Sequence, residues 1–200
     1  MFFDELGLDE GDELKNSSIF TFVSSTLLIL ELAMDRAGGV VGGGIARIME
    51  SRAKALAEAS GATLELKSVC VRDISKKRDW SPPEGCVLVD DASKIVGNKD
   101  IDLVVEVAGG TNEAKEVVYG ALKAGQDVVT ANKALLADYG DELFELAQAQ
   151  GKALYFEAAV AGGIPIIKTL TEGLSSNKIN RVSGVMNGTC NYILTRMEAT

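Results

Sequence analysis

From residue 38 onward, segments with the apolar spacing of helices alternate with runs typical of strands, and this alternation constrains the fold more than any other feature. The clearest strand is Ile101 to Val107, a run rich in β-branched residues and suited to burial on both faces. The clearest helix runs from about Lys133 to Gln150. Because strands that alternate with helices form parallel sheets, we expect an α/β fold built on a doubly wound parallel sheet.

The remaining predicted elements extend this alternation along the chain. Three helices are predicted: one over 42–60, one that begins at Asp91, and one that follows the strand Ile101 to Val107 and ends at Ala124. The other strands are predicted over 63–71, 87–89, 127–130 and 153–156. The βαβαβ unit therefore occurs more than once, as a Rossmann-type nucleotide-binding sheet requires. We expect residues 37–157 to form a dinucleotide-binding domain.

The composition changes after residue 157, where small side chains dominate. The elements expected there are a short helix that Pro165 opens, a strand of a second sheet over 178–186 and a helix over 191–197. We therefore expect residues 158–200 to begin a second, α+β domain. Because the chain ends inside that last helical pattern, we expect a fragment with a truncated second domain, preceded by an atypical segment over residues 1–36.

The sequence contains no histidine, which restricts the chemistry that the chain can perform. Ser-His-Asp triads, Cys-His nucleophile pairs and every zinc site with a histidine ligand are excluded. Cys70, Cys86 and Cys190 lie far apart in sequence and are odd in number, which argues against a disulfide framework or a zinc ribbon. Catalysis must use Lys, Asp, Glu, Tyr or a bound cofactor, and reduced cysteines favour a cytoplasmic protein.

The net charge of −9 is concentrated near the N-terminus. The first fourteen residues contain six acids and no base, so the rest of the chain carries only −3. Without a basic cluster, nucleic acid and anionic membrane surfaces are poor partners. The apolar stretch over residues 19–34 is shorter than the roughly 20 residues that span a bilayer, and its acidic flank is unlike a signal peptide. We therefore expect neither a nucleic acid partner nor a membrane.

The first candidate site is the glycine-rich segment from Ala37 to Gly44, which opens the first predicted helix. In a dinucleotide fold, such glycines let the backbone turn tightly and approach a pyrophosphate at the helix N-terminus. The register here is A-x-G-x-x-G, with Ala37 at the position of the first glycine. The residues alone leave open a glycine-rich helix entry that binds no ligand.

A second candidate is the pair Arg72-Asp73 at the end of the second predicted strand. An acid at this point would accept hydrogen bonds from a ribose 2′-hydroxyl, whereas an arginine would pair with a 2′-phosphate. A solvated pair at a strand end is the equally acceptable alternative.

Two further candidates follow the carboxyl ends of later strands, where ligands of open α/β sheets bind. One is Gly109-Gly110-Thr111, and the other is Thr130-Ala131-Asn132-Lys133. A lysine at such a point could reach a nicotinamide ribose or a substrate oxygen. The alternative is that Lys133 merely begins a surface helix.

The last candidate is the small-residue stretch from Phe156 to Pro165. Small residues after a strand expose carbonyl oxygens that can ligate a hard cation, and Glu157 would supply negative charge near them. A close-packed crossing between two domains requires the same small side chains, and the residues alone favour that interpretation.

Six stretches together resemble the homoserine dehydrogenase family. They are Gly39 to Gly42 (GVVG), Val71 to Asp73 (VRD), Val105 to Gly110 (VEVAGG), Val128 to Ala134 (VVTANKA), Phe156 to Ile167 (FEAAVAGGIPII) and Asn187 to Met197 (NGTCNYILTRM). The resemblance covers about residues 38–200. It implies that residues 158–200 begin the domain for substrate binding and dimerisation. It implies an enzyme that interconverts L-homoserine and L-aspartate 4-semialdehyde with NAD or NADP, on the route to threonine, methionine and isoleucine, and that is a homodimer at full length.

The resemblance also implies roles for individual residues. Gly39, Val40, Val41 and Gly42 would hold the pyrophosphate, Arg72 would meet the adenosine ribose or its phosphate, and Gly110, Thr111 and Lys133 would line the nicotinamide side. Glu157, Val160, Gly162 and Ile164 would bind a sodium ion, largely through main-chain oxygens, and Gly188 and Thr189 would face the nicotinamide and the substrate. Lys133 is the candidate catalytic residue, as the one amine expected at a strand end near the nicotinamide.

The sequence departs from the family at both ends. The family's substrate-binding acids and its proton-passing lysine lie in a stretch that has no counterpart before Thr200, and residues 1–36 match nothing in the family. We therefore expect this chain alone to turn over slowly or not at all. Two alternatives remain open at this point, which are another NAD(P)-dependent semialdehyde or amino-acid dehydrogenase and a non-catalytic nucleotide-binding remnant.

Overall fold

The computed structural model describes residues 27–28, 32–33, 40–78, 80–184 and 188–198. The predicted N-terminal segment, residues 1–36, lies outside the described residues except for two short strands. Among the described residues, no helix has both the length and the apolar character needed to cross a bilayer.

Strands and helices alternate through most of the described chain. The strands are β1 Leu27–Leu28, β2 Leu32–Ala33, β3 Leu64–Glu65, β4 Ser68–Val71, β5 Val87–Val89, β6 Leu103–Glu106, β7 Asp127–Thr130 and β8 Leu154–Tyr155. The helices are α1 Val40–Ser51, α2 Ala53–Ser60, α3 Asn112–Lys123, α4 Lys133–Gln150, α5 Ile166–Lys168 and α6 Gly188–Glu198. Short turns of tighter or wider helix occupy Ala92–Lys94, Glu157–Ala159 and Thr169–Gly173.

Every strand pair in the described residues is parallel. One sheet has the order β2-β4-β5 and another has the order β6-β7-β8, while β1 pairs with β3. A doubly wound Rossmann sheet has the strand order 3-2-1-4-5-6. The strands β2, β4 and β5 correspond to its strands 1, 2 and 3, and β6, β7 and β8 correspond to its strands 4, 5 and 6. The expected α/β, Rossmann-type fold is therefore confirmed.

The main core lies between the β6-β7-β8 sheet and the helices α3 and α4. In α3 the buried residues are Ala114, Val117, Val118, Ala121 and Leu122. Their spacing of three and four residues makes one apolar stripe, which is why this helix packs flat on the sheet. Across the two helices, the Lys115 ammonium contacts the Glu142 carboxylate at 2.8 Å and lies 4.0 Å from the centre of the Tyr139 ring. This contact fixes α3 against α4 on their solvent side.

A smaller core lies beneath α1 and α2. Its buried members are Met49, Leu66, Val69 and Val71, and Trp80 packs against them. This second cluster supports β4 and therefore the strand end that carries Arg72.

Four predicted elements differ from the structure. The helix expected over 42–60 breaks at Arg52, beside Ser51, whose hydroxyl donates to the Arg47 carbonyl at 2.6 Å. Such back-bonding bends helices. The strand expected over 63–71 is divided into β3 and β4, because the intervening Leu66 turns into the smaller core.

The helix expected from Asp91 is wrong, since only a single turn forms over Ala92–Lys94. Gly97 adopts a left-handed φ of 79° a few residues later and ends any helical path. The strand expected over 178–186 is also wrong for its described part, because residues 178–184 are exposed and pair with no strand. Residues 185–186 lie outside the described residues.

Candidate functional site

A buried polar cluster lies at the carboxyl ends of β6 and β7, and we call Glu106, Thr130 and Asn132 the strand-end network. The side chains of Glu106 and Thr130 are fully buried, and Asn132 is 7% exposed. Glu106 and Thr130 are direct partners in the parallel register of the two strands, so their side chains leave the sheet on the same face. The sheet register therefore brings the two polar groups together.

The hydrogen bonds of this network lead from Asn132 through Thr130 to the Glu106 carboxylate. Glu106 Oε1 accepts the N–H groups of Ala108 at 2.8 Å and Gly109 at 3.3 Å. Its other oxygen, Oε2, accepts the Thr130 hydroxyl at 2.7 Å. Thr130 Oγ1 in turn accepts the Asn132 N–H at 3.0 Å. Both carboxylate oxygens thus act as acceptors, which suits a carboxylate taken out of water.

Asn132 joins the two loops that follow the strands. Its Oδ1 accepts the Leu135 N–H at 3.1 Å and so caps the N-terminus of α4. Its Nδ2 donates to the Gly110 carbonyl at 2.6 Å. One side chain therefore holds the helix that begins at Lys133 and the loop that contains Gly110.

Gly109 and Gly110 have left-handed φ values of 75° and 77°. A Cβ atom built on either glycine would meet no heavy atom within 4 Å, so the space beside this turn is open. Thr111 follows as the half-buried N-cap position of α3, and the exposed Lys133 is the first residue of α4. The structure thus places the predicted residues Gly110, Thr111 and Lys133 on one edge of the sheet.

The predicted pyrophosphate residues lie at the start of α1. Gly39 is outside the described residues, and Val40 to Gly44 are already helical, so the helix begins two residues earlier than expected. A Cβ on Gly43 would lie 2.7 Å from Trp80 Cδ1, which shows that this glycine face packs against the indole. Gly43 therefore allows α1 to pack closely against Trp80.

Arg72 is exposed immediately after β4. The neighbouring Asp73 is turned into its own loop, where its Oδ1 accepts the Ser75 hydroxyl at 2.6 Å and the Ser75 N–H at 2.8 Å. These hydrogen bonds from Ser75 hold the pKa of Asp73 below its ordinary value. The Asp73 carboxylate is therefore engaged by Ser75 within this loop, and of the predicted pair Arg72 is the better candidate to contact a ligand.

The predicted cation residues occupy one turn after β8. The Glu157 carboxylate accepts the N–H groups of Ile167 at 2.9 Å and Lys168 at 2.8 Å. Gly162 has a left-handed φ of 61°, and the Ile164 carbonyl accepts the Ile166 N–H at 2.8 Å. In the described chain, no cluster of three or more carboxylate, thiol or imidazole groups could hold a metal ion. Any cation here would depend on main-chain oxygens such as that of Val160.

The predicted substrate-facing residues, Gly188 and Thr189, form the first turn of α6. All the side chains of this helix that the structure describes, from Cys190 to Glu198, are exposed.

Two family models match the chain. The model described as "Homoserine dehydrogenase, NAD binding domain" matches residues 38–157, and the model described as "Homoserine dehydrogenase" matches residues 165–200. The chain belongs to the homoserine dehydrogenase family. This finding confirms the family resemblance that the six sequence stretches carry.

Curated relatives with the name homoserine dehydrogenase support the same assignment. The Neisseria gonorrhoeae protein is 45% identical over 160 residues, and the Corynebacterium glutamicum protein is 46% identical over 162 residues. These alignments cover 80% and 81% of this chain but only 36% of each relative. The chain therefore spans about a third of the length of the homoserine dehydrogenases that it matches.

Solved structures of the family are similar to the fold. A homoserine dehydrogenase from Thiobacillus denitrificans matches with a TM-score of 0.76 and 39% identity, over 90% of this chain and 40% of that one. A hyperthermophilic archaeal homoserine dehydrogenase in complex with NADPH matches with a TM-score of 0.67 and 27% identity, over 87% of this chain and 57% of that one.

The strand-end network is not predicted by the sequence patterns. Glu106 lies in the family-like stretch Val105 to Gly110 without a predicted role, and within the candidate Thr130-Ala131-Asn132-Lys133 only Lys133 has one. The available signal is the position of Glu106 between the apolar residues Val105 and Val107, because a charge on a strand buried on both faces needs dedicated partners.

Proposed function

We propose that this chain provides the nucleotide-binding part of a cytoplasmic, NAD(P)-dependent homoserine dehydrogenase. The reaction interconverts L-homoserine and L-aspartate 4-semialdehyde, within threonine, methionine and isoleucine biosynthesis. The observation that carries the proposal is the open edge where Gly110, Thr111 and Lys133 converge at the ends of β6 and β7 in a chain of this family.

The described residues fit a dinucleotide at this edge. The left-handed turn at Gly109 and Gly110 leaves space that a Cβ would begin to fill, so a flat ring can approach the backbone there. The pyrophosphate would lie on Gly39, Val40, Val41 and Gly42, and the nicotinamide side would contact Gly110, Thr111 and Lys133. When bound, the nicotinamide accepts or supplies the hydride. Gly188 and Thr189 would approach it from the substrate side.

Two roles are considered for Lys133 in this proposal, cofactor contact and proton donation. As the exposed first residue of α4, its ammonium can hold a hydrogen bond to a ribose or to the substrate oxygen. The helix N-terminus beside it favours negative charge, such as the alkoxide oxygen that hydride transfer to an aldehyde produces. Cofactor contact is the role that its position supports best, and proton donation is the second.

We also propose a sodium ion at the turn after β8. Main-chain oxygens of Val160, Gly162 and Ile164 are hard donors of the kind that such ions prefer. The Ile164 carbonyl already accepts one hydrogen bond and keeps a second lone pair. Glu157 would contribute negative charge nearby while its carboxylate holds the start of α5. We further propose that the full-length enzyme is a homodimer.

Binding of the two nicotinamide dinucleotides, measured by titration calorimetry, tests the cofactor assignment. We expect a preference for NADPH over NADH that depends on Arg72, because a guanidinium gains a charge-assisted contact only with the 2′-phosphate. Hydrogen bonds to charged groups contribute about 1.5–3 kcal/mol, so Arg72→Ala should reduce the preference about tenfold or more.

Arg47→Ala is the matched control, since it removes the same charge from an exposed position on α1. Its NADPH preference should equal that of the unmodified chain. An unchanged preference in Arg72→Ala would identify Arg72 as a solvated strand end. A folded chain that binds neither dinucleotide at millimolar concentration would refute the proposed function.

The reaction is tested by L-homoserine-dependent reduction of NADP, with this chain and with a version extended through the family's substrate-binding stretch. General acid assistance contributes typically about 10²–10⁴-fold, so the extended version should turn over faster by that order. Dinucleotide binding without turnover in either version would support a non-catalytic nucleotide-binding protein. Turnover of a different amino acid or semialdehyde would support another NAD(P)-dependent dehydrogenase.

A further inference from the structure

Glu106 is a fully buried carboxylate to which the proposed reaction assigns no role. A buried carboxylate is costly unless every lone pair that faces the protein meets a donor. Here the donors are the N–H groups of Ala108 and Gly109 and the hydroxyl of Thr130. Two donors from the turn after β6 and one from the end of β7 therefore converge on one side chain.

These contacts define the shape of the turn after β6. Oε1 fixes the N–H group of Ala108, which precedes the left-handed pair Gly109-Gly110, and that of Gly109, the first member of the pair. On the far side, Asn132 Nδ2 holds the Gly110 carbonyl. The turn is thus held from two directions, and both holds belong to the strand-end network.

The same carboxylate also orients the loop after β7. Because Thr130 Oγ1 accepts the Asn132 N–H, the hydroxyl proton is left to point at Glu106 Oε2. The main-chain carbonyl of Glu106 additionally accepts the Ala131 N–H at 3.1 Å. Lys133 follows directly, so its position depends on this chain of hydrogen bonds.

We propose that Glu106 is a positioning residue for the nicotinamide half of the dinucleotide. It acts through the turn at Gly109-Gly110 and through Thr130 and Asn132, and it holds Gly110, Thr111 and Lys133 in the geometry that receives the ring. This inference rests on the proposed function. It predicts that the network governs the affinity of one end of the cofactor and leaves the adenosine end, near β4, unaffected.

Gln126 provides a matched control within the same sheet. Its side chain is 3% exposed, donates to the carbonyls of Ile95, Asn98 and Ile101 at 3.0 to 3.3 Å, and accepts the Gly97 N–H at 3.0 Å. It therefore resembles Glu106 in burial and in the number of groups that it satisfies. It precedes β7, however, and lies at the amino edge of the sheet, away from the open turn.

The main variant is Glu106→Gln, which keeps the shape of the side chain. An amide has only one acceptor oxygen, so it must place its NH₂ group against either the two N–H groups or the Thr130 hydroxyl. A second pair of variants tests the same link from the other strand. Thr130→Val removes the hydroxyl at nearly constant volume, and Thr130→Ser retains it.

The measurement is titration calorimetry on the 200-residue chain with two probes, NADPH and 2′,5′-ADP, which lacks the nicotinamide half. For Glu106→Gln and Thr130→Val we expect the Kd for NADPH to rise at least about tenfold, and the Kd for 2′,5′-ADP to stay the same. Thr130→Ser should recover most of the NADPH affinity that Thr130→Val loses. Gln126→Met should lower the Tm and leave both affinities unchanged.

Equal weakening of both probes in Glu106→Gln would show a merely structural carboxylate and overturn the proposal, as would an unchanged Kd for NADPH. If Glu106→Gln does not fold, the Thr130→Val and Thr130→Ser pair decides by the same criterion. An unmodified chain that binds 2′,5′-ADP but gains nothing from the nicotinamide half overturns the inference alone. An unmodified chain that binds neither probe rejects the proposed function and the inference with it.

Discussion

The described chain contains two regions of similar apolar character and different packing. Between Ile101 and Leu154, apolar side chains from three strands and two helices form a continuous buried core. After Leu154, no described residue is buried, although several large apolar side chains are present. They include Ile164, Leu174, Ile179, Val182, Tyr192, Ile193, Leu194 and Met197.

The difference shows that apolar composition alone does not make a core. In the first region, the stripes of α3 and α4 face a parallel sheet, so two layers bury each other. In the second region, α5 and α6 have no sheet beneath them among the described residues. Stability should therefore be concentrated in the first region, and each of the following tests compares a packed position with an exposed or open one.

The largest effect is expected from truncating a core leucine. Leu143 on α4 is fully buried, and Leu143→Ala should lower the free energy of unfolding by about 2–5 kcal/mol because it leaves a cavity. Leu194→Ala on α6 is the control, since Leu194 is 58% exposed and should change that free energy by less than about 0.5 kcal/mol. Urea denaturation measures both. Equal losses in the two variants would show that α6 is packed as tightly as α4.

A smaller effect is expected at the two neighbouring glycines of α1. Gly43→Ala would place a Cβ 2.7 Å from the Trp80 ring, and such overpacking costs about 1–3 kcal/mol. Gly44→Ala meets no heavy atom within 4 Å and should stabilise the helix by about 0.5–1 kcal/mol. Urea denaturation, followed by the fluorescence of Trp80, the single tryptophan, measures both. Stabilisation by both substitutions would show that α1 is loosely packed against Trp80.

The smallest effects on stability concern the cysteines, which differ in exposure. Burial, followed by the nearby carboxylates of Asp91 and Asp90, raises the pKa of the Cys70 thiol from 9.0 to about 11. Burial likewise raises the pKa of Cys86 to about 11. Such a thiol has about 10²-fold less thiolate at pH 8 than one at 9.0. Iodoacetamide at pH 8 should therefore modify the exposed Cys190 well before the other two, as mass spectrometry would show.

The same two thiols predict the alkaline stability of the chain. Between pH 9 and pH 11 the unfolded chain loses these protons while the folded chain retains them, so the free energy of unfolding falls as pH rises. A variant with Cys70→Ala and Cys86→Ala should show a flatter dependence in urea denaturation across that range. An identical slope would mean that other groups cause the alkaline loss.

Much of the first region could be predicted because local signals and tertiary packing agree there. β7 and α4 have the bounds that their patterns predict, since a strand buried in a sheet and a capped helix both leave clear sequence marks. The strand expected over 178–186 does not form in its described part, residues 178–184, because strand formation requires a neighbouring strand, which a sequence pattern cannot supply.

The candidate site was predictable only in part. Strand ends and glycines pointed to Gly110 and Lys133, because ligand position in open α/β sheets follows from topology. The contact between Glu106 and Thr130 joins residues 24 positions apart in sequence, and only the register of β6 with β7 makes it. Long-range polar contacts of this kind are set by the assembled sheet. In the sequence, the only sign of this one is an acidic residue, Glu106, between apolar neighbours.

The double attachment of Asn132 has a consequence for motion. Its carboxamide caps α4 with one atom and holds the Gly110 carbonyl with another, so the turn after β6 and the first turn of α4 are connected through a single planar group. If that group rotates, both contacts break together, and the two segments open as one cooperative unit. The exchange rate of the Leu135 amide proton therefore reports how often the glycine turn opens.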